Sequence, residues 1–193
     1  FFQGADDGIE FFGGTVNTSN LISIGNEDDQ FDWTEGWSGT NTNWYGKLGF
    51  GKGNRGIEAD NFELGYAFAP IANPSITNLT LVGPGSAPAT GTWLENDAIK
   101  LRRGTKGVFT NVFLSSWKVG FNVENDETIA FIPTGLKAVS VNYTTDVATK
   151  TSGKLNSGVA TSVSAIVTSE TASSGAGNGA SMPTWAAGWS VGF

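Results

Sequence analysis

The chain has 193 residues and a formal net charge of −7, because 18 Asp and Glu outnumber 11 Lys and Arg, and it contains neither Cys nor His. The absence of Cys excludes a disulfide scaffold and a thiolate site, and the absence of His excludes Ser–His triads and histidine-ligated metals. The acidic balance argues against a nucleic-acid partner, and no apolar run reaches the roughly 18 to 20 residues of a membrane-spanning helix.

One short phrase, in the pattern small-or-polar, apolar, polar, apolar, recurs along the chain. It occurs at 8–11, 30–33, 56–59, 98–101 and 120–123. Repeats of roughly 20 to 30 residues that hold short alternating strands are typical of a solenoid. The sequence therefore predicts an all-β fold, a single-stranded right-handed parallel β-helix of about five or six coils with loop insertions.

The alternation within each phrase predicts which side chains face the interior. Successive side chains of a strand point to opposite faces, so the two apolar residues of a phrase point inward and the polar residue between them points outward. Stacked coils then produce two interior columns. The first column contains Ile9, Phe31, Ile57, Ile99 and Phe121, and the second contains Phe11, Trp33, Ala59, Leu101 and Val123.

A second strand in each coil is indicated by Asn followed by an apolar residue. This pattern occurs at Asn20, Asn78 and Asn111. Asn tolerates the left-handed conformation that a tight bend requires, and stacked Asn side chains can form a hydrogen-bonded ladder. We therefore expect these three residues to lie above one another.

The remaining segments predict insertions and a less regular end within one domain. Residues 1–143 hold the coils, with surface insertions at about 34–53 and 60–98. Residues 144–193 are rich in Ser, Thr, Ala and Gly and form a C-terminal extension. Two Trp-x-x-Gly-Trp phrases in the chain favour a Trp-rich cap on the end of the solenoid, formed by Trp37, Trp185 and Trp189.

Several separate phrases carry a resemblance to a known group of proteins. The phrases lie at 29–37, 55–61, 73–81, 101–105 and 185–189. Together they resemble a family of bacterial secreted or outer-surface proteins of unassigned function. The resemblance implies a parallel β-helix outside the cell, placed in the C-terminal part of a longer precursor, and it implies no reaction.

Acidic residues precede the first strands and predict either an ion ladder or a metal site. Asp7, Asp29, Arg55 and Asp97 occupy equivalent positions. Neighbouring coils are about 4.8 Å apart, so like charges in this column repel and require neutralisation. In one reading, Arg55 pairs with Asp29 and Asp97. In the other, Ca²⁺ bridges Asp7, Asp29 and either Asp28 or Glu27, because hard oxygen ligands on rigid turns suit this ion.

The outward column of the first strands gives a second charged surface. It contains Glu10, Asp32 and Glu58, followed by Lys100. This surface is either a solvated face with Glu58 paired to Lys100 or a groove that processes carbohydrate, because paired carboxylates hydrolyse glycosides. If the protein is an enzyme, we expect Asp32, Glu58 and Lys100 to carry the chemistry. A lyase would need Ca²⁺ on the carboxylates and a Lys or Arg base.

The function that these features favour is non-enzymatic. We expect an extracellular or cell-surface structural or adhesive module that self-assembles into a filament or surface array. The alternative is a β-helix that binds or degrades polysaccharide. The partner is then a glycan, another cell-surface component or a copy of the protein itself, and Trp44 and Tyr45 are the predicted ligand-binding residues because aromatic rings stack on sugars.

Overall fold

The computed structural model describes residues 1–49, 53–85, 95–188 and 190, and most of these residues wind into stacked coils. Sheet 1 contains β1 (Glu10–Phe12), β3 (Phe31–Thr34), β5 (Arg55–Ala59), β7 (Asp97–Leu101), β9 (Val119–Glu124) and β11 (Thr149–Lys154). Sheet 2 contains β2 (Thr18–Ile24), β4 (Thr40–Lys47), β6 (Ser75–Val82), β8 (Gly107–Ser115) and β10 (Leu136–Tyr143).

The strand pairing within both sheets is parallel, and each strand pairs with the equivalent strand of the next coil. This arrangement confirms the predicted all-β parallel β-helix. Helical structure is limited to α1 (Asp126–Ile129) and two 3₁₀ turns, Ser164–Ile166 and Thr184–Ala186, within the described ranges. No helix among these residues is long and apolar enough to cross a membrane.

The interior of sheet 1 follows the predicted columns. Phe31 pairs in register with Ile57, Ile57 with Ile99, and Ile99 with Phe121, and all four side chains are fully buried. The second column is equally buried from Trp33 to Val123. Alternation of apolar and polar residues therefore sets both the register and the inward face of this sheet.

Sheet 2 contains the predicted asparagine ladder, with one additional member. The amide Nδ2 of Asn43 donates to Oδ1 of Asn20 at 2.8 Å, that of Asn78 to Asn43 at 2.8 Å, and that of Asn111 to Asn78 at 2.7 Å. All four residues have a positive φ between 57° and 62°. The ladder therefore fixes the same bend at the same position of four successive strands.

The segment predicted as an insertion at 34–53 has a different structure. It contains β4, a full member of sheet 2, and Trp44 in β4 is in register with Leu21 of β2 and Leu79 of β6. The segment 60–98 likewise contains β6, while its residues 60–73 form a loop beside sheet 1. Residues 50–52 and 86–94 of the two predicted insertions lie outside the described residues.

The C-terminal extension begins with a further coil rather than a loop. Strand β11 pairs with β9, and Val167 and Glu170 form parallel bridges to Ala138 and Val141 of β10. Residues 173–186, which we call the C-terminal segment, then run back across the outer face of sheet 2. The repeated structure therefore extends beyond residue 143, where the sequence pattern fades.

The C-terminal segment is attached to three strands of sheet 2. Its Gly175 carbonyl accepts from Asn111 Nδ2 in β8 at 3.1 Å, its Ala176 amide donates to Thr80 Oγ1 in β6 at 2.9 Å, and its Ala180 carbonyl accepts from Tyr45 Oη in β4 at 2.9 Å. Backbone contact this close is possible at Gly175 because a Cβ atom there would lie 2.3 Å from Thr80 Oγ1.

The predicted Trp-rich cap is not formed by these residues. Trp37 is fully buried in the interior, where its ring stacks on Phe11 at 4.1 Å between centroids. Trp185 instead packs with Ile22 and Tyr45 on the outer face of sheet 2, and its Nε1 donates to the Ala176 carbonyl at 2.7 Å. Trp189 lies outside the described residues. Trp37 therefore belongs to the core, and Trp185 packs on the outer face of sheet 2.

Candidate ligand-binding groove and metal site

A network of ion pairs covers the outer face of sheet 1. Arg55 contacts carboxylate oxygens of Asp29 at 3.2 Å, Glu58 at 2.5 Å and Glu95 at 2.8 Å. The predicted pair of Arg55 with Asp29 is therefore present, whereas Asp97 accepts a hydrogen bond from Asn122 Nδ2 at 2.7 Å. This network supports the ion-ladder interpretation for the part of the column around Arg55.

The network continues through two arginines that follow β7. Arg102 contacts Glu58 at 2.6 Å and Asp60 at 2.8 Å, and Arg103 contacts Asp60 at 2.6 Å and Glu63 at 3.1 Å. These contacts fix the loop 60–73 against the C-terminal ends of the sheet 1 strands. Because the loop stands beside the strands, it forms one wall of a groove on the outer face.

The groove has a cavity volume of about 380 Å³. Acidic and apolar side chains share its lining: Phe12 and Leu64 are 64% and 83% exposed. The remaining lining residues come from β1, β3, β5, the loop 60–73 and the residues that follow β3 and β7. They are Glu10, Asp32, Thr34, Glu35, Glu58, Asp60, Phe62, Glu63 and Arg103.

The acidic end of the groove carries charges that the arginine network does not reach. Among the described residues, no basic side chain forms an ion pair with Glu10 or Asp32. Burial, and then the neighbouring carboxylates of Glu58 and Asp7, raise the pKa of Asp32 to about 9. Burial and neighbouring acids also raise the pKa of Glu10. This end of the groove is therefore the place where a proton or a bound cation is most favourable.

Two groups of three carboxylates meet at the turn before β1 and β3. Asp6, Asp7 and Asp28 form an exposed group, and Asp7, Asp29 and Asp32 form a more buried one. In each group, one oxygen per residue lies within 4.8 Å of the others. Burial raises the pKa of Asp7 to about 6, and burial raises the pKa of Asp29 well above its ordinary value although Arg55 opposes the shift.

The buried group has the donor set that a hard divalent cation requires. Asp29 is 1% exposed, Arg55 contacts only its Oδ2, and its Oδ1 has no hydrogen-bond partner among the described residues. Ca²⁺ binds carboxylate oxygens at about 2.3–2.6 Å, so ligand oxygens can lie up to about 5 Å apart. The group of Asp7, Asp29 and Asp32 therefore fits this ion.

The predicted site residues are only partly brought together. Asp32, Glu58 and Lys100 are neighbours in register on sheet 1, as expected. Lys100, however, is 4% exposed and its Nζ lies 2.8 Å from Glu124 and 3.3 Å from Glu95, rather than against Glu58. Its ammonium group is therefore engaged in the ion network and does not face the groove residue Glu58.

The predicted aromatic ligand-binding residues have a different role. Trp44 is fully buried and stacks on Phe31 at 4.5 Å between ring centroids. Tyr45 points to the outer face of sheet 2, where the C-terminal segment covers it and leaves it 2% exposed. The prediction that Trp44 and Tyr45 form a binding surface is corrected, because neither ring is accessible to a glycan.

Sequence reasoning missed the apolar side chains that line the groove. Phe12 follows the first phrase directly, and Phe62 and Leu64 lie in the segment interpreted as an insertion. The signal is the segment Asp60-Asn61-Phe62-Glu63-Leu64, in which acidic and apolar residues are mixed immediately after a strand. Read with Arg102 and Arg103, it indicates a loop that charge pairs hold beside sheet 1.

Stacked parallel coils, an apolar interior and a polar groove on the outer face of sheet 1 define a parallel β-helix protein. The family model described as a pectate-lyase like beta helix domain matches residues 1–190. The chain therefore belongs to this family. No curated protein and no solved structure is similar enough to the chain to count as a match.

Proposed function

We propose that the protein is a secreted or cell-surface module that binds a polysaccharide chain in the groove of sheet 1. The observation that carries this proposal is the combination of exposed apolar side chains, Phe12 and Leu64, with carboxylates in one groove. Sugar rings present apolar faces that pack on such side chains and hydroxyl groups that donate to carboxylates. Membership of a pectate-lyase-like β-helix family supports a polysaccharide ligand.

The charge of the groove narrows the class of polysaccharide. Its lining contains six acidic residues and one Arg, Arg103. A polyuronate would meet like charge over the whole groove unless a cation intervened, and such juxtaposition disfavours binding. The proposed ligand is therefore a neutral or amine-bearing polysaccharide.

Binding without cleavage is the favoured activity. Arg55 and Arg102 both contact Glu58, and Lys100 is buried in its own ion pairs, so two of the three candidate catalytic residues are held by structural contacts. Degradation is the alternative, since Asp32 and Glu58 are neighbours in register and paired carboxylates hydrolyse glycosides. Release of reducing ends that is lost in Asp32→Asn would favour this alternative.

Affinity measurements with defined polysaccharides test the binding proposal. We expect a neutral β-glucan or chitosan oligomers to bind and polygalacturonate not to bind when EDTA is present. Leu64→Ser should weaken binding about tenfold, which corresponds to about 1.4 kcal/mol. Val159→Ser, which alters an equally apolar side chain that is 59% exposed, is the matched control and should bind like the wild type. Tight polygalacturonate binding in EDTA would contradict the proposal.

Self-assembly is a second candidate function, favoured by the N-terminal edge of the solenoid. Strand β1 and the first half of β2 form this edge, since Phe2 pairs with the end of β2 at Ile24. Phe12 in β1 and Val16 before β2 are 64% and 60% exposed. Edge strands with exposed apolar residues invite pairing with another chain. Light scattering and electron microscopy test this candidate, and a monodisperse species of the monomer mass at high concentration would contradict it.

A further inference from the structure

We propose that the groove on sheet 1 continues into a second subsite, where the ring of Phe68 stacks on a pyranose residue of the bound polysaccharide. This inference rests on the proposed function, since one polysaccharide chain would occupy both the groove and the second subsite. Phe68 is not one of the residues that line the groove itself. The second subsite therefore adds a contact that only a longer ligand reaches.

The second subsite is a pocket that adjoins the groove at the loop 60–73. Its cavity volume is about 270 Å³, and it shares Glu35 and Phe62 with the lining of the groove. Because the two cavities have these residues in common, a chain that leaves the groove beside Phe62 enters the second subsite directly. The rest of its lining is Gly36, Phe68, Ala69 and Pro70.

The ring of Phe68 is held in place although most of the side chain is accessible. Phe68 is 59% exposed, and its ring stacks on that of Phe62 at 5.5 Å between centroids. The backbone of Gly65 lies against the same ring, since a Cβ atom at Gly65 would be 2.6 Å from Cδ1 and Cε1 of Phe68. The ring is therefore oriented before a ligand binds, which reduces the conformational entropy that binding costs.

The loop that carries the ring is fixed from within by a buried asparagine. The side chain of Asn61 is fully buried. Its Nδ2 donates to the carbonyl of Tyr66 at 3.1 Å and to that of Phe68 at 2.9 Å, and its Oδ1 accepts from the Ala72 amide at 2.7 Å. An exposed aromatic side chain on a loop held in this way, next to a groove, is typical of a binding surface.

The lining of the second subsite favours a sugar ring as its occupant. It combines an exposed aromatic ring with a single charged residue, Glu35. The C–H face of a pyranose packs on an aromatic ring, and its hydroxyl or amino groups donate to a carboxylate. β-Linked glucose and glucosamine carry equatorial ring substituents, so both faces of these rings are apolar. They belong to the neutral and amine-bearing classes proposed for the groove.

Affinity measurements with oligomers of two lengths test the second subsite. The probes are the disaccharides and hexasaccharides of β-1,4-linked glucose and of β-1,4-linked glucosamine. Phe68→Ala should weaken hexasaccharide binding about fivefold and change disaccharide binding less than about twofold, because the groove alone accommodates a disaccharide. Phe68→Tyr keeps the ring and should bind like the wild type. Phe2→Ala, which removes another Phe ring that is 52% exposed, is the matched control and should leave both affinities unchanged.

A second variant tests the placement of the ring without removing it. In Gly65→Ala the added Cβ atom would displace the Phe68 ring, so hexasaccharide affinity should fall although Phe68 is present. Phe68 is largely exposed, so Phe68→Ala should fold, and circular dichroism verifies the folding of both variants.

Three results would overturn the inference. Unchanged hexasaccharide affinity in Phe68→Ala would show that the ring does not contact the ligand. Equal losses for the disaccharide and the hexasaccharide would place Phe68 in the groove itself. Light scattering that shows dimers of the wild type but not of Phe68→Ala would assign the ring to a contact between copies of the chain. Absence of any binding by the wild type contradicts the proposed function, and the inference falls with it.

Discussion

The two outer faces of the solenoid differ although the same coils form both. The outer face of sheet 1 is charged, its ion pairs join successive coils, and a groove along it remains open. The outer face of sheet 2 is covered by the C-terminal segment, which buries Tyr45 and contacts three strands. The chain itself therefore closes the outer face of sheet 2, whereas the groove on the outer face of sheet 1 stays accessible to solvent.

The largest expected effect is the loss of stability when a core residue is truncated, compared with the truncation of an exposed residue in the groove. Trp44→Ala should lower the free energy of unfolding by about 3–5 kcal/mol, because it removes a fully buried ring that stacks on Phe31. Leu64→Ala, at a residue 83% exposed, should change it by less than about 0.5 kcal/mol. Urea denaturation measures both. A Trp44→Ala protein as stable as the wild type would contradict the placement of this ring in the core.

An intermediate effect is expected where the C-terminal segment meets sheet 2. Gly175→Ala should destabilise the protein by about 2–4 kcal/mol, since it combines a left-handed backbone with a clash against Thr80 and Leu79. Gly179→Ala is matched in φ, 56° against 59°, but its Cβ atom would make only ordinary contacts with Phe113.

Limited proteolysis and denaturation compare these two variants. Gly175→Ala should expose the C-terminal segment to cleavage, and Gly179→Ala should lose only about 1–2 kcal/mol through its backbone conformation. Equal losses in the two variants would mean that the segment does not pack tightly on sheet 2.

The smallest effect is the pH dependence of an ion pair on sheet 1. Burial alone would raise the pKa of Glu124, but its contacts with Lys100 at 2.8 Å and Lys154 at 3.1 Å outweigh burial and lower the pKa below its ordinary value of 4.5. Because the folded-state pKa is depressed, the stabilisation is complete above pH 4.5 and is lost as the pH falls through the folded-state pKa.

Glu124→Gln should therefore lower stability by less than about 1 kcal/mol at pH 7 and by nothing measurable at pH 3. The control is Glu170→Gln, which breaks the exposed pair with Lys150 and should have a smaller effect than Glu124→Gln at pH 7. A wild-type advantage over Glu124→Gln that grows on acidification would contradict the sign of the shift.

The fold could be predicted where the sequence repeats its alternation. The interior columns from Phe31 to Phe121 and the ladder through Asn78 follow from local patterns that each coil repeats. The same rule covers Asn43-Trp44-Tyr45, an Asn followed by an apolar residue, but the abundance of Trp and Asn around it favoured a loop. Including Asn43 in the ladder would have placed Trp44 inside.

Other features depend on contacts between residues far apart in the chain. Tyr45 is buried only because residue 180 returns to it, and no local pattern in a Ser- and Gly-rich segment indicates that return. The buried acidic group has the same origin, since it joins Asp32 of β3 to the turn residues Asp7 and Asp29, which only the pairing of successive coils brings together. Alternation fixes the direction of strand residues, whereas turn residues have no such rule.

The C-terminal segment has a consequence for how the protein unfolds. Repeat arrays without long-range contacts fray from their ends, because each coil contacts only its neighbours. Here a single stretch of chain connects β8, β6 and β4, so the loss of one coil also breaks contacts with coils further along the axis. The segment therefore couples the coils into one cooperative unit, and amide hydrogens in the middle and at the start of the solenoid should exchange through a common opening.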